Sequence, residues 1–219
     1  MNLGDMRAHV RNVVGDKAKP PFASDQELNL YLNAGLFEAV DRGLMILDRE
    51  KYTVDVEAGV SEYPLSDRII RVQSAAVISK DGVALERPEL MVKAFASEGA
   101  NNTPTGWNSY PIGWRIEEDG LFVLSANPAT KAEIQLVVWR YARPLEGDGD
   151  EPEIAQFYHL PMTQWAVRMY YLKQDADVFD AKASARADEE FARVFGQPKS
   201  AQDHRRRRRE ASRSIKVQY

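Results

Sequence analysis

The apolar residues of this 219-residue chain change their spacing twice, and that double change restricts the fold more than any other feature of the sequence. Residues 3–14 place Leu3, Met6, Val10 and Val13 three and four apart, the stripe of an amphipathic helix. Gly15-Asp16 and Pro20-Pro21 stop it. Ser24-Asp25-Gln26-Glu27 then has the form of a capping box, in which Ser24 accepts the third amide and Glu27 reaches back. Behind it Leu28, Tyr31, Leu32, Leu36, Phe37, Val40, Leu44 and Leu47 mark a helix of about six turns. Gly35 and Gly43 lie inside it at a cost of ~1 kcal/mol each against Ala. Being eight apart they share nearly one face, so either another helix packs closely there or the glycines are merely tolerated.

From residue 51 the spacing becomes two. Tyr52, Val54 and Val56 alternate with Thr53 and Asp55, and 60–65 and 69–78 read as strands. Asp81-Gly82 and Asp119-Gly120 each lie between extended runs and supply the positive φ angles of tight hairpin turns. The second joins 114–116 to 121–124. After Asn127-Pro128, Ile134, Leu136 and Val138 face one side of a strand, with Gln135, Val137, Trp139 and Tyr141 on the other. Residues 88–110 are ambiguous: Leu90 to Phe95 is compatible with a short helix, and a loop is expected over 101–106. Six or seven strands, mostly antiparallel, result.

After the polar run Glu146-Gly147-Asp148-Gly149-Asp150-Glu151-Pro152 the helical spacing returns. Ile154, Phe157, Tyr158, Trp165, Val167, Met169, Tyr170 and Leu172 mark an aromatic-rich helix whose first turns Pro161 splits off. A turn at 174–177 leads to a last helix through Phe179, Ala183, Ala187, Phe191 and Val194, stopped by Gly196 and Pro198. The expected fold class is α+β: a helical bundle formed by N- and C-terminal helices, an inserted, mostly antiparallel β-sheet domain, and an extended C-terminal tail. The expected segments are 1–50 (N-terminal helices), 51–145 (β-rich insertion), 146–198 (C-terminal helices) and 199–219 (basic tail).

The formal net charge of −4 conceals an asymmetry. Residues 204–219 hold Arg205, Arg206, Arg207, Arg208, Arg209, Arg213 and Lys216 against Glu210 alone, a local charge of +6 that leaves −10 on residues 1–203. Five adjacent guanidiniums repel one another, and each needs water or a partner. The run is therefore either a solvated end or an arm received by an acidic surface. Beyond it Ile215, Val217 and Tyr219 alternate with Lys216 and Gln218, a pattern that adds a strand to a sheet edge or lays apolar anchors in a groove.

Positive signs of catalysis are missing. No glycine loop of phosphate-binding form occurs, Gly113 and Gly120 being isolated. His9, His159 and His204 belong to three segments without metal-ligand spacing, and Glu117-Glu118 and Asp188-Glu189-Glu190 read as solvated faces. No serine has a G-x-S-x-G setting. With no cysteine, disulfides and thiolate sites are excluded. No catalytic residue, metal or cofactor is expected, and the chain reads as a non-enzyme. No apolar run approaches the ~18 residues of a membrane span, and 1–6 lacks the basic start and apolar stretch of a secretory signal. A soluble protein of a reducing compartment, with no membrane partner, is the expectation. Trp107, Tyr110, Trp114, Trp139 and Tyr141 are of the kind that stacks nucleic-acid bases, but an acidic body lacks the basic groove such binding needs. Core or subunit interface is the expected place for them.

Several stretches, in their order and spacing over about 1–200, resemble the head–tail adaptor (connector) proteins of tailed bacteriophages. They are Leu3-Gly4-Asp5-Met6-Arg7, Ser24-Asp25-Gln26-Glu27-Leu28 leading to Tyr31-Leu32-Asn33-Ala34-Gly35, and Tyr63-Pro64-Leu65. Pro152-Glu153-Ile154, Trp165-Ala166, Asp177-Val178-Phe179-Asp180 and 191–196 complete the set. The resemblance implies a structural virion protein that forms a homo-oligomeric ring, of twelve copies on the twelvefold portal protein. Genomic DNA would pass through its lumen to a tail tube or nozzle protein, with tail fibres as further neighbours. The site would be the virion neck, after assembly in the host cytoplasm. It also implies that the C-terminal extension inserts between portal subunits, which makes Arg205, Arg206, Arg207, Arg208, Arg209, Arg213, Ile215, Lys216, Val217 and Tyr219 the portal-binding residues. A tail-tube terminator or stopper, or a nucleic-acid-binding accessory protein using the arginines, are the alternatives.

Overall fold

The computed structural model describes residues 1–93, 113–117, 120–173, 178–200, 202–204 and 206. The protein is α+β, and its chain divides into two compact units, one of Met1–Ile46 with Tyr141–Lys199 and one centred on Leu47–Arg140.

The helical unit holds α1 (Leu3–Val14), α2 (Asp25–Gly43), α3 (His159–Tyr171) and α4 (Ala181–Phe195). Ser24 caps α2 as its sequence predicts. Its Oγ accepts from the Glu27 amide at 3.2 Å, and Glu27 Oε2 accepts from the Ser24 amide at 2.9 Å. That amide first, and then the Lys173 ammonium at 3.0 Å, hold the Glu27 carboxyl below its usual range. α1 has a capping box of its own, Asn2 with Asp5. α2 stops at Gly43 rather than running through Leu47, because Leu44 turns into the left-handed region at φ 47° and the chain enters a strand. A 3₁₀ turn, Gln156–Tyr158, precedes α3, and Pro161 falls in the first turn of α3, where its missing N–H is not needed.

Leu3, Met6 and Val10 of α1, Leu28, Leu32, Leu36 and Val40 of α2, Met162 and Ala166 of α3, and Phe191 of α4 form the buried interior. Val13, expected on that stripe, is 46% exposed. A Cβ at Gly35 would lie 2.8 Å from Trp165 Cβ and 3.2 Å from the Met162 carbonyl oxygen, so α2 and α3 approach at that glycine. Gly43 meets only the Met45 side chain and marks the helix end. The polar run after the sheet is a collar on α1. The carbonyls of Asp148 and Asp150 accept from the Gly4 and Leu3 amides at 3.0 and 2.9 Å, and Arg7 reaches the Asp148 carboxylate at 2.6 Å. Asp150 in turn accepts from the amides of Gly147 and Glu146, which lower its pKa. Asn33 of α2 fixes the approach to the collar, bonding both the N–H and the carbonyl of Leu145 at 2.7 and 2.9 Å.

The second unit is a seven-stranded sheet among the described residues, in the order β1-β7-β3-β4-β5-β6-β2. Its strands are β1 (Leu47–Val56), β2 (Glu62–Pro64), β3 (Ile69–Lys80), β4 (Val83–Lys93), β5 (Gly113–Ile116), β6 (Leu121–Leu124) and β7 (Ala132–Arg140). All pairings are antiparallel except β4 with β5. Asp81-Gly82, with φ of 50° and 78°, turns β3 into β4. Of the ambiguous stretch Leu90 to Phe95, the described residues, up to Lys93, form the end of β4. Leu90 and Met91 alternate outward and inward there and pair with Ala76 and Ala75. The loop expected over 101–106 and the turn expected at 174–177 lie outside the described residues. β7 buries Ile134, Leu136 and Val138 on one face, and Trp114 stacks on Phe122 at 5.6 Å in the same core.

β1 and β7 are joined by a buried ion pair. Arg140 Nε donates to Asp48 Oδ2 at 3.0 Å, both side chains being under 10% exposed. The register of β1 shifts between Asp48 and Tyr52, and Asp48 Oδ1 takes the amides of Glu50 and Lys51 in that bulge at 3.2 and 3.1 Å.

Candidate functional site

The strongest chemical feature of the sequence is its basic end, and the structure describes the residues that lead up to it. α4 stops at Gly196, whose φ of 89° and ψ of 176° suit glycine alone, and whose amide still bonds the Ala192 carbonyl at 2.8 Å. The Gly196 carbonyl accepts from Arg42 Nη1 at 2.9 Å. Arg42 is itself buried. Its Nε bonds Glu38 at 2.8 Å, and its guanidinium lies over the rings of Phe191 and Trp165 at 5.0 and 5.4 Å. A cation held on three sides thus fixes the last residues before the arm.

The arm begins with a capped helical turn. Ser200 Oγ accepts from the Asp203 amide at 3.1 Å, Asp203 Oδ2 accepts from the Ser200 amide at 3.1 Å, and the Ser200 carbonyl accepts from the His204 amide at 3.0 Å. Residues 202–204 and Arg206 are helical, and Arg206 is exposed. The signal was present in the sequence as Ser200-Ala201-Gln202-Asp203, the spacing already recognised at Ser24. Of the residues expected to bind a partner, Arg206 alone is described. Arg205, Arg207, Arg208, Arg209, Arg213, Ile215, Lys216, Val217 and Tyr219 lie outside the described residues.

The other candidates take ordinary places. His159 is buried, with its ring nitrogens 3.0 Å from the Met1 amino group and 3.0 Å from the Ile154 carbonyl oxygen. His9 is half-buried on α1. No group of three or more His, Asp or Glu able to hold a metal ion occurs among the described residues. None of the described helices is long and apolar enough to cross a membrane. Of the aromatic set, Trp114 is core at 1% exposure with its indole N–H on the Met91 carbonyl, and Tyr141 packs edge-on to Phe37. Trp139 is half-buried, while Trp107 and Tyr110 lie outside the described residues.

The family model described as SU10 adaptor protein matches residues 1–217. A comparison with curated proteins finds no match. A match over nearly the whole length takes in the helices, the sheet and the basic arm together, and the chain belongs to the SU10 adaptor protein family, structural head–tail adaptors of bacteriophages found in the virion neck.

Proposed function

We propose that copies of this chain form a ring, twelve on a twelvefold portal, that docks below the portal and carries the DNA channel on to the tail. The basic arm is the portal-binding element, through the arginines 205–209, Arg213 and Lys216 and the apolar side chains of Ile215, Val217 and Tyr219. A tail tube or nozzle protein, with or without tail fibres, takes the opposite side. The observation that carries the reading is the charge split, +6 on 204–219 against −10 on 1–203, with the cationic part set on its own capped turn. An acidic body suits a conduit, because a basic lumen would bind passing DNA and slow it. A ring also needs two different faces per subunit, which an asymmetric two-unit chain provides.

Deleting residues 204–219 tests the assignment, since α1–α4 and β1–β7 lie outside that range. The truncated chain is expected to keep its circular dichroism and melting temperature and to lose portal binding in a pull-down. Undiminished binding removes the arm from the interface. The arginine run also favours a second reading, a nucleic-acid-binding accessory protein. With about six phosphate contacts, DNA affinity would fall roughly a thousandfold between about 50 and 200 mM salt. A gel shift at low salt with no retarded band excludes it. A tail-tube terminator or stopper differs in binding the tail rather than the portal, which the same pull-down separates.

A further inference from the structure

The chain that leads to the basic arm starts on the residue type with the most backbone freedom. Gly196 is exposed and sits at φ 89° and ψ 176°, a conformation that glycine enters easily and leaves as easily. A buried cation is set against it. Arg42, with 1% of its side chain exposed, donates from Nη1 to the Gly196 carbonyl oxygen at 2.9 Å and from Nε to Glu38 at 2.8 Å. The same guanidinium lies 5.0 and 5.4 Å from the ring centroids of Phe191 and Trp165. The next residues have little freedom of their own, because Pro198 fixes its own φ and disfavours helical backbone at Gln197. Gly196 is thus the loosest joint between α4 and Pro198, and Arg42 closes it. Stability does not account for the arrangement. At an exposed glycine water can replace a protein donor, and a buried ion pair is on balance no more stabilising than well-packed apolar side chains of the same volume. What the bond supplies is one position for the chain as it leaves α4.

We propose that Arg42 is a positioning residue for the arm: it holds the root in one place, so that less order has to be imposed when the arm docks. The inference rests on the reading of the arm as the portal-binding element. It adds a residue of the helical unit that is itself buried and acts on the partner only through the backbone at Gly196. Backbone that becomes ordered only on docking lowers affinity, and a root already held escapes that loss.

Arg42→Met in the full chain tests it. Methionine keeps an unbranched apolar stem and a favourable sulfur contact with the two rings, and Glu38, 31% exposed, can turn to water. The variant is therefore expected to keep a melting temperature close to that of the wild type. Because the chain has no cysteine, a nitroxide can be attached at one site at a time, through Gln197→Cys at the root or Glu189→Cys on the exposed side of α4. Arg42→Met should sharpen the spin-label spectrum at 197 and leave the one at 189 unchanged. It should also weaken portal binding about tenfold without altering the salt dependence, which a residue in contact with the partner would change. Sharpening at both positions, or at neither, overturns the assignment. Undiminished portal binding, or a changed salt dependence, overturns it as well, and all of these outcomes leave the arm reading standing. Portal binding that survives deletion of residues 204–219 removes the arm reading itself, and the role of Arg42 with it.

Discussion

Two opposing influences act on Asp48. Burial, the largest, pushes its carboxyl up, while the Lys51 amide, the Arg140 guanidinium and the Glu50 amide pull it down and leave it below the usual range. A carboxyl depressed in the folded state stabilises the fold above its ordinary pKa, and that contribution is lost as pH falls through the depressed value. Asp48→Asn keeps the shape but gives up the charge-assisted bonds to Arg140 and the bulge. The expected loss is about 2–3 kcal/mol in urea unfolding at neutral pH, narrowing as the pH is lowered. An unchanged midpoint would show the pair to be worth nothing. Tyr170 gives the opposite sign. Burial first, and then the nearby Asp16 carboxylate, push its phenol up from 10.0 to about 12. A raised pKa stabilises the fold below the ordinary value, and the contribution disappears as pH rises from there toward the raised one. Thermal melts of the wild type should therefore fall steeply over that alkaline interval. Tyr170→Phe should flatten the fall while costing about 1 kcal/mol at neutral pH.

At the scale of elements, the closest approach in the helical unit is at Gly35. Alanine there gains up to about 1 kcal/mol of helix propensity. It also drives a methyl into Trp165 Cβ and the Met162 carbonyl, neither of which is the free end of a flexible chain, and overpacking of that kind costs about 1–3 kcal/mol. Gly35→Ala is expected to lower the melting temperature. Gly43→Ala meets only the Met45 side chain, at 2.8 Å from its Cγ, and because that unbranched chain can change rotamer the substitution should lower it less. Equal effects of the two substitutions would mean that α2 does not rest on α3 through Gly35. Both glycines had the same sequence signature, and only the packing partner separates them. Local chemistry was legible in the same way elsewhere: the Ser24 box, the Asp81-Gly82 turn and the alternation of Ile134, Leu136 and Val138 all follow from residues within a few positions of one another. The end of α2 was not. Val40, Leu44 and Leu47 fit a helical stripe, yet the helix ends at Gly43, Leu44 takes a left-handed conformation and Leu47 opens β1. The stretch from Leu90 was ambiguous for the same reason, since a short apolar run is compatible with either period until its strand partner is known. The Asp48–Arg140 pair spans 92 positions and has no local period to announce it. The capped turn at Ser200 was legible and was hidden only by the arginines that follow it.

Over the whole molecule, the quantity that tests the proposed ring is how much each arm contributes when many act together. A single arm with a charge of +6 is expected to bind an acidic surface weakly, because salt screens it over about 10 Å and its side chains lose freedom on docking. A ring changes the arithmetic. Once the first arms engage, the rest bind at an effective concentration fixed by the short connection to α4, and avidity rises by about two to four orders of magnitude without any new contact. A synthetic peptide of residues 200–219 should therefore bind immobilised portal far more weakly than the full chain does, and both affinities should fall with added salt. Replacing all five of Arg205, Arg206, Arg207, Arg208 and Arg209 by Gln should weaken the full chain and remove most of that salt dependence. The residual binding then reports Arg213, Lys216 and the apolar end. If the peptide binds as tightly as the full chain, the arms act singly and avidity plays no part. If the five-Gln chain keeps the wild-type salt slope, the cations that matter lie elsewhere on the body.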